Sequence, residues 1–193
     1  SVPAASRTAR EEAALIRRAQ ELSDAFATIA QRIRPAVVNI KVERRSTVDR
    51  QYNDPLDLFR EFFGRRFPRR LPRERKDVGQ GSGVIVDERG YILTNNHVVG
   101  DAETIVVKLA DGREVAAELV GSDPDTDVAV VRIEAERITA APMGNSDAAR
   151  VGEFVLAVGN PFGLESTITS GIISARGRSG VNIVEIEDFI QTD

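Results

Sequence analysis

The chain has 193 residues, 41% of them hydrophobic, and a net charge of −4. That is enough apolar material for one domain with an appendage, and no apolar run nears the ~18 residues of a membrane-spanning helix. Without cysteine there is no disulfide framework, no thiolate nucleophile and no Cys-ligated zinc site. Charge is spread unevenly. Residues 1–78 hold 18 basic and 11 acidic side chains, whereas residues 79–193 hold 8 and 19, which describes a basic arm on an acidic globular body. The chain opens at Ser1 and its one methionine is Met143; loss of an N-terminal secretory signal is one explanation.

Leu15, Ala19, Leu22, Phe26, Ile29 and Ile33 recur at alternating spacings of four and three, the stripe of an amphipathic helix. The helix is expected to pack on its own domain or on a neighbouring subunit. Pro35 ends it, because the residue before proline avoids helical torsion angles. A strand is expected over residues 36–42. Residues 43–78 are rich in arginine and proline without strand alternation, and read as a long loop. Within them Leu56, Phe59, Phe62 and Phe63 are expected to line one face of a short helix. From Gly79 onward, Val- and Ile-rich runs fall at 83–87, 91–94, 104–109, 114–120, 128–133, 153–158 and 166–175. Turn signals such as Asp87-Glu88-Arg89-Gly90 and Asp111-Gly112 separate them, so the body is expected to be all-β, a sandwich or barrel.

His97 is the only histidine. It follows the run 91–94, where a loop at the end of a rigid strand would hold it. Asp127 precedes the run 128–133 in a matching position. A serine hydrolase needs an imidazole to take the hydroxyl proton and a carboxylate to keep that imidazole in the right tautomer. This pair has both residue types. Other site classes fit less well. Gly79-Gln80-Gly81-Ser82-Gly83 lacks the Lys-Ser/Thr of a phosphate loop and is expected to bend the backbone before Val84. Asp123, Asp125 and Asp127 alternate like the start of a calcium loop, yet the glycine and bidentate glutamate do not follow. No metal and no cofactor are expected.

Several segments, in order, resemble the HtrA/Deg family of serine proteases. They are Gly81-Ser82-Gly83-Val84-Ile85-Val86, Gly90 through Val99, Asp123-Pro124 with Asp127-Val128-Ala129-Val130, and Gly144-Asn145-Ser146-Asp147. Ala157 through Gly163, Thr169 through Ala175 and Phe189-Ile190-Gln191-Thr192-Asp193 complete the series. The resemblance implies a chymotrypsin-like pair of six-stranded β-barrels with the active site between them. Residues 1–34 would be an N-terminal helical segment in a trimer contact. Residues 35–142 would be the first barrel, with its long loop 43–78, and residues 143–193 the start of the second. It further implies His97 as general base, Asp127 as its orienting partner, and a regulatory loop in which Phe162 and Arg178 transmit activation. The family's Gly-Asn-Ser-Gly-Gly element, which supplies nucleophile and oxyanion hole, does not occur in these 193 residues. Ser82, Ser170 and Ser179 lie near glycines but in no G-x-S-x-G elbow, so the isolated chain is expected to be inactive.

Two readings stand side by side, the first resting on the resemblance and the second on the missing nucleophile. One is a quality-control endopeptidase that cuts unfolded or misfolded polypeptides in the periplasm as a homotrimer or higher oligomer. The other is a non-catalytic, chaperone-like or regulatory module that binds such polypeptides. A third, nucleic-acid binding through the arginine-rich loop, is opposed by seven interleaved carboxylates (Glu43, Asp49, Asp54, Asp57, Glu61, Glu74 and Asp77) and the acidic body. No nucleic-acid partner and no membrane span are expected.

Overall fold

Thr8 starts the first element. Its hydroxyl accepts from the Glu11 N–H at 3.4 Å, and the Glu11 carboxylate accepts from the Thr8 N–H at 2.8 Å. This reciprocal capping box opens helix α1 (Ala9–Ile33), which gives way to a 3₁₀ turn over Arg34–Ala36 containing Pro35. The computed structural model describes residues 8–46, 75–160, 166–180 and 184–193. No residue of α1 is buried, and Leu15, Ile16, Leu22 and Ile29 stand exposed. Phe26 meets Phe154 edge to face, with ring centroids 5.6 Å apart.

Six strands then close into a barrel: β1 (Val37–Ser46), β2 (Arg75–Ile85), β3 (Tyr91–Asn95), β4 (Thr104–Lys108), β5 (Glu114–Asp123) and β6 (Val128–Ile133). Their spatial order is β1-β2-β3-β6-β5-β4, and β4 returns to pair with β1, so no edge is left open. Period-2 alternation turns one set of side chains into the barrel. Ile40, Val42, Ile85, Ile92, Val107, Val131 and Ile133 form one buried cluster, each such side chain contributing about 1.5–3 kcal/mol.

Two expectations need correction. Residues 43–46 and 75–78 were expected in a loop but belong to β1 and β2, where the register runs unbroken from Val37↔Val84 to Ser46↔Arg75. Ladder bonds are made by the backbone, so an arginine-rich segment pairs as well as an apolar one. The expected helix face of Leu56, Phe59, Phe62 and Phe63 lies outside the described residues. Nor do Gly79, Gly81 and Gly83 make a bend; they sit inside β2. A Cβ there would crowd Val42, Val98, and both Ile40 and Ile92, respectively. Glycine is required for room.

Strands β7 (Phe154–Gly159), β8 (Thr167–Arg178) and β9 (Phe189–Thr192) form a separate antiparallel sheet in that order. Asn39 of β1 joins it to the barrel: its buried amide donates to Asn160 O at 2.8 Å, and Ser82 Oγ accepts from Asn160 N–H at 2.8 Å.

The turn at Asp87–Gly90 supplies a stability test. Asp87 is held at about 2 by hydrogen bonds from the Arg89 side chain and backbone. Gly90 has φ +92°, and a Cβ there would fall on the Ile133 carbonyl oxygen, whereas Gly112 has φ +90° and open space around it. Gly112→Ala should cost about 1 kcal/mol for the strained torsion, and Gly90→Ala about 3 kcal/mol or more because a clash adds to it. Urea denaturation of the two variants measures the difference; equal costs would show that the crowding at Gly90 is absent.

Candidate active site

The pairing of β3 with β6 builds the site. Its last register pair is Asn95↔Val128, so the residues just beyond it, His97 on one chain direction and Asp127 on the other, leave the barrel side by side. Beyond β3 the backbone makes a single helical turn, α2 (Asn96–Val99), whose Val98 and Val99 are buried. His97 was expected in a loop. It sits instead in this turn, because two buried valines hold the backbone against the barrel.

Asp127 arrives on a turn organised by another aspartate. The Asp123 carboxylate accepts from the Asp125 N–H at 3.1 Å and the Thr126 hydroxyl at 2.8 Å. Asp127 itself has φ +55°, an uncommon torsion for a side-chain-bearing residue and a mark of strain held by its surroundings. Its carbonyl accepts from Asn96 N–H and Asn95 Nδ2, each at 3.1 Å.

The carboxylate meets His97 twice. Oδ1 accepts from the His97 backbone N–H at 2.8 Å, and Oδ2 lies 2.7 Å from the ring Nδ1. Asn95 Nδ2 donates to the same Oδ2 at 3.1 Å. Burial pushes the Asp127 carboxyl up, but the hydrogen bonds from the His97 backbone and ring and from Asn95 outweigh it and hold the group below its ordinary value. An ionised Oδ2 facing Nδ1 selects the tautomer with the proton on Nδ1 and leaves Nε2 as a base. The imidazole remains 70% exposed, against 21% for the Asp127 side chain, so the ring is accessible while its orienting group is sheltered.

Arg178 ends β8, and its Nε donates to Gln191 Oε1 of β9 at 3.0 Å. Phe162 lies outside the described residues. Just before β9, Ile186 N–H donates to Asp125 O of the acid-bearing turn at 3.0 Å. Ser82 is engaged as the acceptor for Asn160 N–H, a structural use of the hydroxyl.

Comparison with known proteins matches this arrangement. The profile of the trypsin-like peptidase domain fits residues 81–193. The chain belongs to the trypsin-like peptidase family. It is 42% identical to the probable periplasmic serine endoprotease DegP-like of Chlamydia trachomatis, over 90% of this chain and 38% of that protein. With the periplasmic serine endoprotease DegP of Salmonella typhimurium it shares 41% identity over 97% of this chain and 44% of that one. Among solved structures, the HtrA-type protease AlgW with a decapeptide superposes with TM-score 0.67 at 43% identity, covering 87% of this chain and 51% of that one. The chain therefore spans less than half the length of these two curated relatives.

Two residues of this peptidase-family chain carry geometry that the sequence did not disclose. Asn95 lies inside the recognised motif, and its signal was an amide two positions before the histidine. Arg44 had no local signal: it stands 53 residues before His97, in a stretch read as loop, yet its Nη2 donates to His97 O at 2.8 Å and Val98 O at 2.9 Å.

The lowered Asp127 value sets a pH dependence. A carboxyl with a depressed folded-state pKa adds stability that is present above the unfolded value, about 3.9. That contribution is lost as pH falls through the folded value. Asp127→Asn should therefore be less stable than the parent chain at pH 5, with the gap narrowing towards pH 3 in urea titrations. A gap that stays constant, or widens, would refute the charge-based account.

Proposed function

We propose that this chain is part of a serine endopeptidase of the HtrA/Deg kind, working in the periplasm on unfolded or misfolded polypeptides. The observation that carries the reading is the 2.7 Å approach of Asp127 Oδ2 to His97 Nδ1, with the imidazole otherwise accessible. The matched relatives are named periplasmic serine endoproteases, in keeping with this chemistry. Among the described residues no helix is long and apolar enough to cross a membrane.

In this mechanism His97 Nε2 takes the proton of an attacking serine hydroxyl and later delivers it to the leaving amine. Asp127 keeps the Nδ1 proton in place and stabilises the imidazolium that forms. No Gly-Asn-Ser-Gly-Gly element occurs in residues 1–193, and none of their serines is assigned as the nucleophile in this reading. Arg178, with Phe162, belongs to the regulatory loop that relays activation, and α1 contributes to a homotrimer or larger assembly.

The exposed Leu15, Ile16, Leu22 and Ile29 of α1 favour a second reading, in which the protein holds apolar client segments without cutting them. Casein degradation separates the two. A polypeptide extended through the catalytic serine should cleave unfolded casein. His97→Ala should abolish cleavage and Asp127→Asn should lower kcat about 10⁴-fold, while the 193 residues alone should show none. Cleavage that survives His97→Ala would overturn the first reading, and casein retained uncut by the longer polypeptide would establish the second.

A further inference from the structure

We propose that Arg44 is a positioning residue for His97, acting through the histidine's own peptide carbonyl. A helix as short as α2 leaves its carbonyls without partners inside the helix. Asn96 O accepts from Gly100 N–H at 2.7 Å, and Val99 O from Ala102 N–H at 3.1 Å. The two carbonyls between them, His97 O and Val98 O, accept from a single Arg44 Nη2 at 2.8 and 2.9 Å. The turn that presents the imidazole is thus completed by a side chain from outside the motif, on β1.

The guanidinium is itself held. Arg44 Nε lies 2.8 Å from Asp101 Oδ1, an ion pair whose angle departs from a hydrogen-bond line. Asp101 is the residue whose backbone N–H would meet His97 O if α2 ran one residue further. Its carboxylate secures the arginine that takes that place. Gly79, across the strand pair, makes room: a Cβ there would stand 3.2 Å from Arg44 Nη1. Arg44 is mostly covered, with 28% of its side chain exposed, and its bond to Val98 O is partly buried while the one to His97 O is open to solvent. A planar guanidinium reaches two adjacent carbonyls and a carboxylate together. A lysine ammonium, a point charge on a flexible stem, holds them less firmly.

His97 therefore has two anchors. Asp127 fixes the ring at Nδ1 and the backbone at N–H, and Arg44 fixes the backbone at C=O. With the peptide groups on both sides of its Cα tied, the Cα–Cβ bond is held at a fixed position and angle from which the ring meets Oδ2. The inference rests on His97 being the general base, but its test reads the ring itself and needs no cleavage, so the two readings fail separately.

His97 is the only histidine, so its ring nitrogens give unambiguous ¹⁵N resonances in the 193-residue chain. At about pH 8 the parent chain should show the pattern of a single Nδ1–H tautomer. Arg44→Met should move both resonances towards the values of a mixed-tautomer ring, with Arg44→Lys intermediate. Lys41→Met, which breaks another β1 ion pair (Lys41–Glu114, 2.8 Å), should leave them in place. If Arg44→Met does not yield a dispersed spectrum, Arg44→Lys is judged by the same criterion. Ring resonances in the Arg44 variants that match the parent would overturn the proposal. So would an equal displacement in Lys41→Met, since that marks a general loosening of the strand.

Discussion

The register between β3 and β6 is the constraint on which the site depends. With Asn95 opposite Val128, His97 and Asp127 emerge at the same end of two neighbouring strands, and the 2.7 Å contact between them follows. A slip of one residue would do more than separate the pair. It would also turn one of the facing pair Ile92 and Val131, both fully buried, out of the barrel, because side chains alternate with period two. The core therefore enforces the geometry of the candidate site. The same aliphatic burial that closes the barrel prevents the imidazole and carboxylate from drifting apart.

Polar groups refine what the apolar core positions. The Asp127 carboxylate accepts from His97 N–H and Asn95 Nδ2 and faces the His97 ring, enough to outweigh the cost of its burial and keep it charged. Its positive φ is sustained by the turn that Asp123 ties and by two donors to its own carbonyl. Charge also explains why an arginine in a basic arm is not simply a solvated surface group. Arg44 is turned inward onto backbone carbonyls and balanced by Asp101.

The link between barrel and second sheet is polar as well. Asn39 and Ser82 hold the carbonyl and N–H of Asn160, so the end of β7 is fixed by side chains of β1 and β2. Among the described residues, Asn39 Oδ1 and Asn160 Oδ1 are buried without a protein partner, a cost of about 1–3 kcal/mol for each such group unless water reaches it. The exposed Phe154, Ile172 and Ile190 of the sheet contrast with the closed apolar interior of the barrel.

Much of this protein was legible in its sequence because the signals were local. The spacing of Leu15 to Ile33 marked α1, Val- and Ile-rich runs bounded by turn signals marked the strands after Gly90, and the surroundings of His97 and Asp127 marked the pair and the family. Where local signals misled, the deciding partner was distant. Residues 43–46 and 75–78 are strands because each supplies a backbone ladder to the other, a fact that arginine and proline content does not encode. Gly79, Gly81 and Gly83 are small because Val42, Val98, Ile40 and Ile92 press against them, not because the chain bends. Sequence alone determined that one imidazole and a carboxylate thirty residues later are present, and in which order they occur. Only the folded structure decided that Asn95 joins the Asp127 carboxylate and that Arg44 grips the His97 carbonyl. Those contacts arise from barrel closure, which brings together groups that share no neighbourhood along the chain.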